Sequence, residues 1–294
     1  MRLEQQARRR SMGPAFLAVP YMFGLVALVG VPLVGTAVLA FTDYSGISAP
    51  QWVGAANLRA ISNDDSLGRA VLTTVVVVAV AVPLRVAGAT ALALLLHRPG
   101  RSVTAARAAA FLPTVVPDVA LALVWAWLLN PLSGPLALAG LPIGGVLTDP
   151  VGARLAVAVL VAFQLGEGFV IALAWRTSLG RTPYEAATLA GASPGFVLRR
   201  LTLPQMRPAL AALAVRDAVV VLHATFVAAL LLTRGGPSRA TVGLPQWLYE
   251  TEFAYLRVGY ASAASLTVLV VTGALTAAAW WSVRRNLPGG AASS

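Results

Sequence analysis

Six apolar stretches, each about as long as a bilayer-spanning helix needs to be, divide the 294-residue chain. They run from about Ala15 to Phe41, Ala70 to Leu96, Ala108 to Leu129, Ala153 to Trp175, Ala209 to Leu232 and Val258 to Val283. Inside a bilayer the backbone must satisfy its own hydrogen bonds, so such stretches fold as helices. Apolar residues make up 58% of the chain and charged residues only 11%, with a mean hydropathy of +0.77. A soluble domain carries about 25% charged residues to keep its surface wet. The surplus of apolar side chains must therefore face lipid. The expected fold is an all-α, polytopic membrane helix bundle with about six transmembrane helices, read as one domain.

The net charge of +11 comes from 22 arginines, no lysines and 11 acids. These arginines punctuate the apolar runs and form no continuous basic stripe, so the pattern argues for topology and against a nucleic-acid partner. Arg8, Arg9 and Arg10 resemble the basic start of a signal peptide, but the apolar run after them is too long and lacks a small-residue cleavage pattern, which reads as a retained anchor. If the N-terminus lies inside, the inner segments hold fourteen arginines and the outer ones six, with Arg85 and Arg216 inside spans. Excess positive charge marks the cytoplasmic side, so both termini are expected in the cytoplasm of a multi-pass cell-membrane protein. Trp125, Trp127, Trp175, Trp280 and Trp281 fall near span ends, where indole rings anchor helices among lipid headgroups. Pro83, Gly88, Pro113 and Pro117 sit inside spans and suggest kinks in a packed bundle.

With no cysteine, the chain has no disulfide, iron–sulfur cluster or thiolate zinc site, and its two histidines cannot build a histidine-rich metal centre. No phosphate-binding loop, nucleophile elbow or zinc-type helix motif is present either. The chain is expected to bind no cofactor or metal and to have no catalytic residues.

The segment 176–208, expected on the cytoplasmic side, carries strong helix punctuation. Thr182 is read as an N-cap, with Pro183 at the first helical position and Glu185 completing a capping box. Gly191 stops the helix in a left-handed turn, and Ser193–Pro194 starts a second one that Pro204 and Pro208 are expected to end before the fifth span. Ala186, Ala187, Ala190 and Ala192 give the first helix a face of small residues that a partner backbone can approach closely. By these signals alone the loop is either a docking knob or simply a capped amphipathic connection.

Glu185-Ala186-Ala187, then Gly191, Leu203-Pro204 and Pro208 resemble the EAA loop of binding-protein-dependent ABC importer permeases. Ala190 departs from the sugar subfamily, which usually has aspartate there. The resemblance covers nearly the whole chain. Trp52-Val53-Gly54 with Asn57 resembles the family's first outer loop. Arg107 through Phe111-Leu112-Pro113, followed by Trp125 to Pro131, resembles its third helix. Thr233-Arg234-Gly235-Gly236-Pro237 with Thr241 resembles the glycine turn of sugar permeases, and Gly259-Tyr260-Ala261-Ser262-Ala263 the start of their last helix.

The family implies a type I importer permease that moves a sugar or sugar derivative by alternating access. It implies a cytoplasmic tail at 1–14, a transmembrane permease domain at 15–283 with coupling loop 176–208, and a second tail at 284–294. Its implied partners are a second homologous permease, an ABC ATPase dimer that binds ATP and magnesium, an extracytoplasmic sugar-binding protein and membrane lipids. Glu185, Ala186, Ala187, Ala190, Gly191 and Ala192 would form the ATPase-coupling helix.

Six ionisable residues fall in or near spans: Arg85, Asp118, Glu167, Arg216, Asp217 and His223. Each costs about 2.5–3.5 kcal/mol at mid-bilayer on insertion scales, so they belong in a bundle interior or a wet cavity. Gln164, Glu167, Asp118 and His223 are the candidates for a substrate path. Glu167, flanked by Gly166 and Gly168, either grips sugar hydroxyls with Gln164 or pairs with Arg85 or Arg216. Arg216 and Asp217 point about 100° apart on a helix, which favours a structural role for both. The outer aromatics Trp247, Tyr249, Phe253 and Tyr255 suit sugar stacking, contact with the binding protein or interfacial anchoring. Two other readings remain open: an ABC permease for a non-sugar solute, and an ion-coupled secondary transporter, which would need inverted repeats.

Overall fold

A computed structural model describes residues 12–285. Arg2, Arg8, Arg9 and Arg10, with most of the expected N-terminal tail, lie outside the described residues, as do residues 286–294 of the C-terminal one. The regular structure of the described residues is helical apart from one two-stranded ribbon.

Two compact units are distinguished. One contains the chain up to Asp64 together with Leu248–Val271, and the other contains Asp65–Trp247 and the chain from Thr272. In the first, α1 (Met12–Leu25) continues through a five-residue π-helical turn (Val26–Gly30) into α2 (Val31–Leu39). The span Ala18–Leu39 buries none of its most apolar window, and Phe23 is 75% exposed. A helix that apolar and that bare needs lipid or another subunit around it.

The ribbon pairs β1 (Thr42–Asp43) with β2 (Gln51–Trp52), and Phe41 stacks on Trp52 at 5.7 Å. After α3 (Ala56–Ile61) begins, the Asn57 amide donates to the carbonyls of Ala40 (3.0 Å) and Thr42 (2.9 Å). Trp52 and Asn57 of the outer-loop motif thus fasten the end of α2 to the ribbon. In the start of α14 (Val258–Arg285), Tyr260 donates to Asp64 at 2.7 Å and lies under the Arg257 guanidinium.

The second unit is organised around α4 (Asp65–Leu95), which packs against α8 (Pro150–Phe163), α9 (Gly166–Ser178) and α12 (Leu203–Leu232). One apolar cluster joins Val77, Ala81, Val157, Leu160, Val221 and Ala228, and another joins Ala89, Phe169, Met206 and Leu213. Alanines predominate at these contacts, which lets helix axes approach closely where lipid offers little hydrophobic drive for association.

Pro83 and Pro113 lie inside unbroken helices, α4 and α5 (Arg101–Val115). The breaks come elsewhere. Between α5 and α6 (Asp118–Leu128) the axis turns by 96°. Val116 is extended (ψ 129°) because the ring of Pro117 disfavours the helical region for the residue before it. Expected span three is therefore a bent pair that starts as far back as Arg101, and span four bends by 50° at Gln164–Leu165. Among the described residues, four continuous helices are long and apolar enough to cross a membrane, and counting each bent pair as one span brings the number to six.

Pro204 and Pro208 do not end a helix. The chain runs as one helical rod, Pro194–Leu232, through α11 (Pro194–Val197), a π-helical turn (Leu198–Thr202) and α12. Leu203 N–H bonds five residues back to Leu198, and Pro204, placed at the start of the following α ladder, occupies a position where its missing N–H costs little. Two short helices, α7 (Pro135–Leu138) and α13 (Leu244–Tyr249), the latter running into a π-helical turn at Glu250–Ala254, complete the elements.

Candidate functional site

Two features of the second unit carry the residues singled out in the sequence. The first is the loop after α9. α10 (Thr182–Leu189) begins one residue earlier than a Thr182 cap requires: Arg181 holds the N-cap position, Thr182 is the first helical residue, and no side chain caps this end. The reciprocal capping box is absent because its first member already lies inside the helix. Glu185 remains in the first turn, where a carboxylate complements the helix dipole.

The stop is as expected. Gly191 has φ +69°, its N–H bonds to the Thr188 carbonyl, and Ala192 N–H closes on Ala187. Ser193 caps α11 by accepting from Phe196 N–H at 3.3 Å. Glu185, Ala186, Ala190 and Gly191 are exposed, while Ala187 and Ala192 are half-buried. Sequence reasoning missed the tip: Leu189 is 91% exposed and Phe196 also stands free, so the knob presents bulky apolar groups beside its alanines. An apolar residue at the helix end, where only polar side chains are expected on a solvated loop, was the available signal.

Two contacts brace the knob. Tyr184 OH donates to Thr202 Oγ1 (3.2 Å) in the π-helical turn, and the Arg176 guanidinium lies 4.8 Å from the Tyr184 ring centre. Between the α10 face and the turn after α4 opens a cavity of about 730 Å³, lined by His97, Arg98, Arg176, Arg181, Tyr184 and Glu185 among others. Arg107 fixes that turn by donating through Nε and Nη2 to the Leu96 carbonyl, at 2.9 and 2.7 Å.

The second feature is a cleft of about 470 Å³ that brings all four substrate-path candidates together: Asp118, Gln164, Glu167 and His223 line it, with Arg85 and Thr114. Each polar group arrives from a helix irregularity or a facing helix. Asp118 opens α6 immediately after the Pro117 break. Gln164 sits in the α8–α9 break, and Glu167 lies in the first turn of α9. Gln164 Nε2 donates to Asp118 Oδ1 at 2.8 Å. His223 Nδ1 donates to the Val219 carbonyl at 2.9 Å, which leaves Nε2 as its other polar atom.

Glu167 is paired with Arg216, one of the two partners proposed from sequence. Arg216 also donates to Asp217 Oδ1 at 2.8 Å, and Asp217 faces Arg85 Nε at 3.2 Å through Oδ2. Arg85 Nη1 donates to the Val161 carbonyl at 2.8 Å. Asp217 is fully buried and Arg85 is 3% exposed, so this inner pair is structural, whereas Arg216 is only half-buried. The glycines beside Glu167 do not open space around it. A Cβ at Gly166 would meet Thr114 Oγ1 at 2.4 Å and one at Gly168 would meet Leu213 at 3.3 Å, so both serve close helix approach.

The Thr233–Pro237 turn is clamped internally by a 2.6 Å hydrogen bond between the hydroxyls of Thr233 and Thr241. Thr73 Oγ1 (3.2 Å) and Arg154 Nε (2.8 Å) both donate to the Ala240 carbonyl, which ties the turn to α4 and α8.

No protein-family model matches the chain. A probable ABC transporter permease protein, YesP, from Bacillus subtilis (strain 168) is 26% identical over 273 residues, spanning 90% of this chain and 87% of that protein. The diacetylchitobiose uptake system permease protein NgcF from Streptomyces coelicolor is 29% identical over 277 residues, spanning 88% and 78%. Among solved structures, a bacterial alginate ABC transporter in complex with an alginate pentasaccharide-bound periplasmic protein contains a chain of the same fold. Its TM-score is 0.82 at 22% identity, covering 99% of this chain and all of that one.

Broken and unbroken apolar helices with a helical knob between two of them are the build of a multi-pass membrane protein, and the similar proteins are transport permeases. Within that class, the relatives that match most of this chain are permease proteins of ABC transporters and of a diacetylchitobiose uptake system.

Proposed function

We propose that this chain is one permease half of an ATP-driven importer for a sugar or sugar derivative, with α10 as the element that couples it to an ABC ATPase. In this reading loop 176–208 and both termini face the cytoplasm, and the transmembrane domain extends over 15–283. The partners are a second permease, an ATPase pair carrying ATP and magnesium, and an extracytoplasmic sugar-binding protein. The single observation that carries the coupling role is the braced knob: an exposed helix bearing Glu185, Ala186, Ala190 and Leu189, held by Tyr184 to the rod that continues into α12. A socket on a soluble ATPase accepts such a shape, because its small residues allow close approach while Leu189 and Phe196 supply apolar area.

Sugar as cargo is supported by the diacetylchitobiose permease among the relatives and by the polar cleft between the helix breaks. Gln164, Asp118, Glu167 and His223 offer donors and acceptors to hydroxyl groups along that path. ATP-driven closure of the ATPases would push the knob and tilt the helices attached to it, exposing the cleft alternately to each side.

The test is ATP-dependent uptake by the importer reconstituted in proteoliposomes with the proposed second permease, ATPase pair and sugar-binding protein. Glu185→Arg is expected to leave insertion and thermal stability unchanged and to lower uptake per ATP hydrolysed by about tenfold or more. Uptake by the chain alone, driven by a proton or sodium gradient, would instead establish an ion-coupled transporter. Full coupling in the Glu185→Arg variant would remove α10 from the mechanism.

A further inference from the structure

The cleft also has a charge preference. Asp118, Glu167 and Asp217 contribute three carboxylates, and Arg85 and Arg216 contribute two guanidinium groups, counting the residues that line the cleft and those paired directly with them. Both arginines are already engaged: Arg85 with Asp217 and the Val161 carbonyl, Arg216 with Glu167 and Asp217. The carboxylate left over is Asp118, whose described partner is the uncharged amide of Gln164. His223, neutral in this count, offers only Nε2 once Nδ1 has donated to Val219. Among the described residues, then, the cleft presents one unbalanced negative charge and no cation without a carboxylate partner.

We infer that this cleft admits uncharged or amino-bearing saccharides and repels acidic ones, with Asp118 as the residue that sets the preference. The inference rests on the cleft being the solute path of the proposed importer. It separates this chain in cargo chemistry from the alginate transporter that shares its fold, which imports an acidic polysaccharide. A carboxylate-bearing sugar would enter against Asp118 and find both guanidinium groups occupied. An uncharged sugar could donate hydroxyl hydrogens to Asp118 Oδ2 and Glu167. An ammonium group would gain the Asp118 charge as partner. The low-dielectric walls of a membrane helix bundle lengthen the reach of that single charge.

The absence of cysteine makes the preference directly measurable. Ala224→Cys places one thiol on the cleft wall, and Val219→Cys, on the same wall, serves if the first variant is poorly folded. Full-length protein in lipid nanodiscs is reacted with a trimethylammonium-ethyl methanethiosulfonate and, separately, with a sulfonatoethyl methanethiosulfonate. In each reaction the thiolate forms a disulfide with the reagent and releases methanesulfinate. Rates are read by mass spectrometry and divided by those for a free thiol in solution.

The cationic reagent is expected to be favoured by about tenfold after that correction, shrinking as salt is raised toward molar levels. Asp118→Asn should remove most of the preference. Equal rates, a preference for the sulfonate, or no reaction with either reagent overturns the inference. Because the readout is thiol chemistry in the cleft, it stands apart from the coupling test: loss of ATP-driven uptake with an intact rate ratio would sink the importer reading alone.

Discussion

The α10 knob and the charged cleft belong to the same unit, yet different forces define them. The knob is held by local chemistry: a left-handed glycine at 191, the Ser193 cap, and Tyr184 reaching Thr202 eighteen residues on. The cleft is held by long-range chemistry, with Arg85 meeting Asp217 across α4 and α12 and Glu167 meeting Arg216 across α9 and α12. A feature built from near neighbours can be altered without unfolding the bundle, whereas the buried Arg85–Asp217 pair cannot. Surface variants should therefore report on coupling, and inner-cleft variants on stability first.

The sharpest test of that contrast is Asp217→Asn, which strands the Arg85 guanidinium at 3% exposure. A buried charge left without its partner costs about 3–5 kcal/mol, so thermal unfolding in detergent should shift down steeply. Replacing the pair together, Arg85→Met with Asp217→Leu, should recover most of the loss. A stable Asp217→Asn single variant would break the comparison.

Gly191→Val comes next. Nothing lies near its Cβ, so the penalty is conformational, about 1–2 kcal/mol for a branched side chain at φ +69°. Uptake should fall while the bundle's unfolding temperature moves little, and Gly191→Asn should be milder. Ser193→Ala removes one cap and should cost about 1 kcal/mol of local helix stability, read as faster amide exchange at the start of α11.

A smaller stability effect than at Asp217 is expected at Glu167→Gln. Its pair with Arg216 is half open to solvent, with side-chain exposures of 49% and 32%, and such pairs contribute at most about 1 kcal/mol. Unfolding temperatures should barely separate it from the parent chain. A loss as large as that of Asp217→Asn would show that the outer pair, too, belongs to the structural core.

The same division explains what the sequence discloses. Span existence, the left-handed stop at Gly191 and the Ser193 cap were legible because each depends on neighbours within a few positions. Thr182 misled because a one-residue offset at a helix start is invisible to a spacing rule. Pro204 and Pro208 misled for a different reason. For Pro204 the π-helical turn and the first-turn position absorb the missing N–H, whereas Pro208 is carried inside the continuous helix. The meeting of Asp118, Gln164, Glu167 and His223 was legible only as a set of costly charges needing shelter. Which partner each found depends on helix breaks at Pro117 and Gln164 whose angles no local pattern encodes.

The uninterrupted rod Pro194–Leu232 has a further consequence. At 1.5 Å per residue, 39 residues extend about 58 Å, nearly twice the hydrocarbon thickness of a bilayer. Part of it must stand outside the oily layer, much as an oar extends past its rowlock. Thr202, gripped by Tyr184, and Arg216, gripping Glu167, are about 21 Å apart on that one shaft. A stroke delivered at the handle therefore reaches the blade without crossing a joint between separate helices.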